Sequence, residues 1–221
     1  MDIAVTELID RVKVCIDEIA LNDAEFVSGQ DNMEMDTIIR SKITEAVRFI
    51  LSHADWGLLE PDEVVTQETE DSGFTIEENL VGRLPLPSNF LRVCYARFLT
   101  WKSYPSDVIY WNDTEYAKLS DKYATGTWER PKLAIIRNPG LVLELYSAKT
   151  ADDGWVAAYV TEPDMSAIND DDAKIGIPDK LLEPTIYYIA GLTLLTYKDS
   201  HADSMFNQAM VLAGMQGGTA S

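Results

Sequence analysis

A chain of 221 residues, 46% hydrophobic and 25% charged, can bury a sizeable core as one large domain or two small ones. Thirty-seven acids against 18 bases leave a formal charge of −19 with no basic block, which argues against a protein that grips duplex phosphates. No apolar run reaches the roughly 20 residues of a membrane span, and MDIAVTELIDRVK lacks the basic start and apolar core of a secretory signal.

The first predicted helix carries Leu8, Val12, Cys15, Ile16 and Ile19 at helical spacing behind Thr6 as a cap. Cys15 on that apolar stripe reads as a small buried thiol. With only Cys94 besides, there is no disulfide framework, and a reducing cytoplasm suits synthesis. A polar stretch, Asn22 to Met35, separates it from a second stripe of Ile39, Ile43, Ala46, Val47 and Ile50 behind Asp36, ended by Gly57 and Pro61.

From Glu63 to about Thr161 short extended runs alternate with turn residues. Arg92 to Trp101 predicts a strand with Val93, Tyr95, Leu99 and Trp101 on one face. Asp113 to Tyr123 predicts a short helix. Lys132 to Ile136 and Leu141 to Tyr146 flank Asn138-Pro139-Gly140, a hairpin signal, and Trp155 to Val160 predicts a third strand after it. An acidic loop, Asn169 to Asp172, follows.

Thr185 to Thr196 is apolar nearly all round, as a helix covered on several sides should be. Met205, Phe206, Ala209 and Met210 predict a last helix stopped at Gly214. The predicted fold is α+β: N- and C-terminal helices (1–60 and 176–214) form a helical bundle, residues 61–175 form a β-rich insertion, and 215–221 form a flexible tail.

One joint occurs twice. LPLPSNFL (Leu84 to Leu91) is matched by IGIPDKLL (Ile175 to Leu182), an apolar–Pro–polar–polar–apolar pattern. Proline fixes φ and lacks an N–H, which suits a corner after an extended segment. The repeat reads as architecture and not as chemistry.

Sequence motifs for chemistry are few. His53 and His201 have no Cys or His at ligand spacing, and phosphate-cradling loops and a nucleophile elbow are absent. The expectation is therefore no catalytic residue, no metal and no cofactor. Asn169 to Asp172 lacks the alternation of a calcium loop, and paired carboxylates of a glycan hydrolase arise by chance among so many acids. Trp101, Tyr104, Tyr110, Trp111 and Tyr116 crowd one quarter of the chain, as a protein interface, a sugar-binding platform or the core of the β part would require. With Met215 and Gln216 at the start of the tail, they are the candidate partner-facing residues.

Four stretches carry a family resemblance: Thr6 to Arg11, the LPSNFLRV joint at Leu86 to Val93, Lys132 to Pro163, and IPDKLLEPTIYYIAGLTLL from Ile177 to Leu195. In that order they resemble head–tail connector proteins of tailed bacteriophages, most closely the adaptor, or ring, proteins of short-tailed phages. The likeness is one of element order over most of the chain and departs at Asn22 to Met35 and Glu60 to Ser72. It implies a structural virion protein at the head–tail junction, a dodecameric homo-oligomeric ring under the portal protein. The tail or further ring proteins would be its other partners, DNA would pass nearby without tight binding, and no membrane would be involved. Two other classes remain open, an acidic glycan hydrolase and a carbohydrate- or protein-binding module.

Overall fold

The computed structural model describes residues 2–20, 32–61, 63–69, 72–121, 123–137 and 139–215. In chain order the elements are β1 (Asp2–Ala4), α1 (Val5–Ala20), α2 (Asn32–His53), β2 (Glu63–Thr66), β3 (Thr75–Ile76), β4 (Gly82–Pro85), β5 (Phe90–Phe98) and β6 (Val108–Tyr110). They continue with α3 (Thr114–Lys118), β7 (Leu133–Arg137), β8 (Leu141–Leu145), β9 (Trp155–Thr161), β10 (Lys174–Gly176), α4 (Asp179–Thr196) and α5 (Ala202–Leu212). The chain divides into two compact units, Met1–Glu60 with Glu162–Ser221, and Pro61–Thr161.

In the unit of the two chain ends, α4 packs against α1, α2 and α5. Leu181, Leu182, Ile186, Ile189, Ala190 and Leu194 are buried around most of its circumference, and Leu8, Val12, Ile39, Ile43, Val47 and Ile50 supply the facing stripes. Such a helix is stable because every side finds an apolar neighbour. Its buried hydroxyls are satisfied within the helix, Thr185 donating to Leu181 O and Thr193 to Ile189 O. At Gly191 a Cβ would lie 2.7 Å from the Phe206 ring, so only glycine lets α5 approach this closely. Both helices stop in the same way: Asp199 N–H reaches back to Leu194 O and Met215 N–H to Met210 O, with Lys198 and Gly214 at positive φ.

The unit of residues 61–161 holds two sheets, with strand orders β2-β9-β5 and β3-β4-β8-β7-β6. One core lies between them, built from Leu84, Phe98, Leu133, Ile135, Leu143, Leu145, Trp155 and Ala157 among others. The opposite face of the five-stranded sheet carries a smaller cluster of Val81, Ile109, Leu119, Ala134 and Tyr146, with Tyr116 of α3 packed on it. Alternation along β8 decides which cluster each residue joins.

The structure corrects the predicted fold class. The described residues hold ten strands in three sheets beside five α-helices, a mixed α+β chain and not a helical bundle framed by the N- and C-terminal helices. Strands are not confined to the middle: β1 and β10 pair antiparallel in the unit of the chain ends, burying Ile3 opposite Ile175. That pairing makes Asp2–Ala4 extended and starts α1 at Val5, so Thr6 lies inside the helix, and its hydroxyl donates to Asp171 O. Asp36 likewise lies inside α2, paired with Lys13. Of the polar stretch, 22–31 lies outside the described residues, as do the side chain of Ile19 and the tail beyond Met215.

The hairpin of β7 and β8 forms where the Asn-Pro-Gly stretch predicts it, with Ile135 opposite Leu143. The third strand does not extend this hairpin. β9 joins the other sheet, between β2 and β5, because the chain turns at Asp153, whose carboxylate accepts from Thr100 Oγ1 and from Lys149 N–H, while Leu99 N–H donates to Gly154 O. Register shifts at Phe90/Arg92 and Val93/Tyr95 break the alternation expected along β5, which ends at Phe98, leaving Leu99 exposed. The repeated joint is one local structure used twice: Phe90 N–H donates to Pro87 O and Leu181 N–H to Pro178 O. After the shared turn the first copy runs on as β5 and the second as α4.

Ile189 has no exposed surface and Leu192 is half-buried. Ile189→Ala should destabilise the protein by about 2–5 kcal/mol and Leu192→Ala by clearly less. Urea midpoints of the two variants check the order; equal losses would mean that the environment of α4 is not the one described.

Candidate functional site

The predicted aromatic residues fall into separate environments. Trp101 is core, 4% exposed, its Nε1–H donating to Ser147 O at 3.1 Å and its ring edge-on to Phe98. Tyr104, Tyr110 and Trp111 are exposed. Composition did not single out Trp128, also exposed, which comes beside Lys102 because Lys102 N–H donates to Trp128 O and Ser103 Oγ to Glu129 O. Three of these rings carry cations: Arg97 over Tyr104 at 5.2 Å, Lys102 over Trp128 at 4.2 Å and Arg137 over Trp111 at 5.2 Å. Stacking of this kind holds a surface aromatic in one orientation and contributes about 0.5–1 kcal/mol at an exposed site. Lys102 also pairs with Glu129 at 2.7 Å, and its hydrogen bond holds the Glu129 carboxyl below the usual range. The result is a set of preorganised, exposed Trp and Tyr side chains, the residue types that anchor protein interfaces.

Tyr116 belongs to a second feature. On β8, Leu143 and Leu145 point into the core between the sheets, so Glu144 and Tyr146 point to the opposite face. Register places Arg83 of β4 directly opposite Glu144. Glu144 is 1% exposed, and Arg83 grips its Oε1 through Nε and Nη2, each at 2.9 Å, while Nη1 pairs with Glu77. Tyr146 donates to Oε2 at 2.6 Å, and Tyr116 points its hydroxyl at the same oxygen from 3.4 Å. Burial, and then the hydrogen bond to Glu144, push the Tyr146 hydroxyl far above its ordinary 10.0. Tyr116 is raised by burial and by the charge of Glu144. A cavity of about 480 Å³ opens beside this cluster, lined also by Asn79, Val81, Leu119 and Ser120. The lone Glu inside LVLELY was the signal in the sequence: an acid in an apolar strand demands a partner.

The remaining predicted residues lie elsewhere. Met215 is half-buried at the end of α5, in the unit of the chain ends, and Gln216 lies outside the described residues. Cys15 is half-buried, its Sγ 3.8 Å from Met205 Sδ. Arg40 ties the acidic loop to α2, donating to Ile168 O and pairing with Asp171. Among the described residues no His, Cys, Asp and Glu side chains gather in threes as metal ligands, and no helix is long and apolar enough to cross a membrane. No protein-family model matches the chain, and no curated protein matches it.

Because the folded state holds the Tyr146 proton at pH values where an unfolded tyrosine releases it, this contribution is complete below pH 10.0 and is lost as the pH rises above it. Tyr146→Phe removes the shortest donor to Glu144 and should cost about 1–3 kcal/mol at neutral pH. Urea denaturation at intervals from about pH 8 to 11 should show the gap between variant and wild type narrowing with pH. A constant gap would uncouple the hydroxyl from stability.

Proposed function

We propose that the chain is a structural, non-enzymatic component of a short-tailed bacteriophage virion, a subunit of the ring that joins the portal vertex of the capsid to the tail and surrounds the DNA channel. The observation that supports this best is that Tyr104, Trp111 and Trp128 are exposed aromatics, each held under a cation. Rigid amphipathic side chains of this kind suit a subunit that spends its life bound to others. The resemblance in element order to the adaptor proteins points to the same partners: copies of itself, the portal protein, and the tail or further ring proteins.

The charge fits the same role. Arg11, Lys13, Arg40, Arg48, Arg83 and Lys102 all pair with carboxylates of their own chain, in a protein of formal charge −19. A wall of this composition repels phosphates and lets DNA pass without adhesion. Equal charges on neighbouring subunits also repel, over a Debye length that falls from about 30 Å at 0.01 M salt to about 10 Å at 0.1 M.

Negative-stain images of the purified chain should show closed rings with a central hole. Sedimentation across a salt series should show assembly strengthening as salt rises and no co-sedimentation with duplex DNA. A monomer at every salt and protein concentration would remove the reading. Tight, salt-sensitive DNA binding would overturn its electrostatic part.

Trp111→Ala and Trp128→Ala, at exposed positions where the main loss is the cation stacking, should leave stability within about 1 kcal/mol of wild type. At least one of them should weaken assembly or partner capture in the same sedimentation assay. Wild-type assembly by both would take the aromatic surface out of the argument.

A further inference from the structure

The cavity beside Glu144 has a chemistry of its own. Three of its hydroxyl protons point into the protein: Tyr146 donates to Glu144 Oε2, Tyr116 points at the same oxygen, and Ser120 Oγ donates to Ala117 O at 2.8 Å, with Thr125 a fourth hydroxyl residue in the lining. A hydroxyl carries one proton and two lone pairs, so these three can only accept from a ligand. Both tyrosines are protonated through the neutral range, as tyrosines ordinarily are, so that arrangement holds there. Two carboxylates, Glu77 and Glu144, surround one guanidinium, Arg83, leaving one net negative charge at the cluster. Asn79 uses its Oδ1 to accept from Val81 N–H, which leaves its amide as a donor at the rim. Val81, Ala117 and Leu119 complete the wall with apolar surface. At about 480 Å³ the space lies within the range of small-ligand sites.

We propose that this cavity binds a primary ammonium on an aliphatic stem, either a lysine side chain of a partner protein or a free polyamine. The ammonium has three donors and no acceptor, matching the three acceptor-only hydroxyls, and its charge complements the cluster. The stem covers Val81, Ala117 and Leu119, and the Tyr116 ring lies at hand for a cation–π contact. The inference does not rest on the ring reading and holds for the chain in any oligomeric state.

Saturation-transfer NMR on the full chain decides it, with n-butylammonium, Nα-acetyl-lysine amide and cadaverine as probes and 1-butanol as the neutral control. The three ammonium probes should bind saturably and 1-butanol should not. Tyr116→Phe and Ser120→Ala each remove an acceptor and should weaken n-butylammonium by about 2- to 10-fold. Glu144→Gln should abolish binding, and if that variant does not fold the first two decide. Tighter binding of Nα-acetyl-lysine amide than of cadaverine assigns the site to a partner's lysine, and the reverse order assigns it to a free polyamine. Binding of 1-butanol as strong as that of n-butylammonium, or wild-type affinity in both Tyr116→Phe and Ser120→Ala, would overturn the proposal.

Discussion

A helix with apolar side chains around most of its circumference cannot lie on a surface, and α4 imposes that constraint on the unit of the chain ends. Each fully buried Leu or Ile contributes about 1.5–3 kcal/mol only if something covers it. The cover comes from α1 and α2 at one end of the chain and α5 at the other. The ends must therefore meet, and the antiparallel pairing of β1 with β10 follows as a local seal, with Val5 N–H donating to Ala173 O just beyond it. Gly191 and the Gly214 stop are adjustments to the same demand, one admitting the Phe206 ring and the other ending α5 against Asp55.

In the unit of residues 61–161 the corresponding constraint is the period of two along β8. With Leu143 and Leu145 fixed in the core between the sheets, Glu144 is carried to the other face whatever its charge. An isolated buried carboxylate would be prohibitively costly, and Arg83, Tyr146 and Tyr116 are the compensation. The cavity there lies between a sheet face and the short α3 that only partly covers it. The exposed aromatics arise differently. They sit at loops and strand ends, where cation stacking, and not a core, holds them.

What was legible in the sequence follows from which forces are local. The stripes of α1 and α2, the all-round apolar run of α4 and the β7–β8 hairpin declare themselves within a few residues of chain. The strand Asp2–Ala4 does not, since three residues show no alternation and their partner lies about 170 positions away. Missing it allowed a helical reading of both chain ends and so the wrong fold class. β9 was legible as a strand but not as a member of the opposite sheet, because membership is set by the turn at Asp153. Trp101 and Trp111 look alike in composition, and only position separates a core ring bonded to Ser147 from a surface ring under Arg137. The lone acid Glu144 in an apolar strand went unread, and its partner has no local signature, because Arg83 meets it through register alone.

The way the unit of residues 61–161 begins and ends has a consequence for the rest of the chain. Glu63, near its start, lies directly opposite Tyr159, near its finish, on the neighbouring strands β2 and β9. Paired strands stand about 5 Å apart, so a hundred residues leave and return through a gap no wider than a hairpin turn. An unstructured loop of that length would charge its hosts about 4 kcal/mol in closure entropy. Once β2 and β9 have paired, the flanking helices experience the whole excursion as a short bridge. The closure of so long an excursion is therefore carried inside the unit itself, by the four residue pairs between β2 and β9.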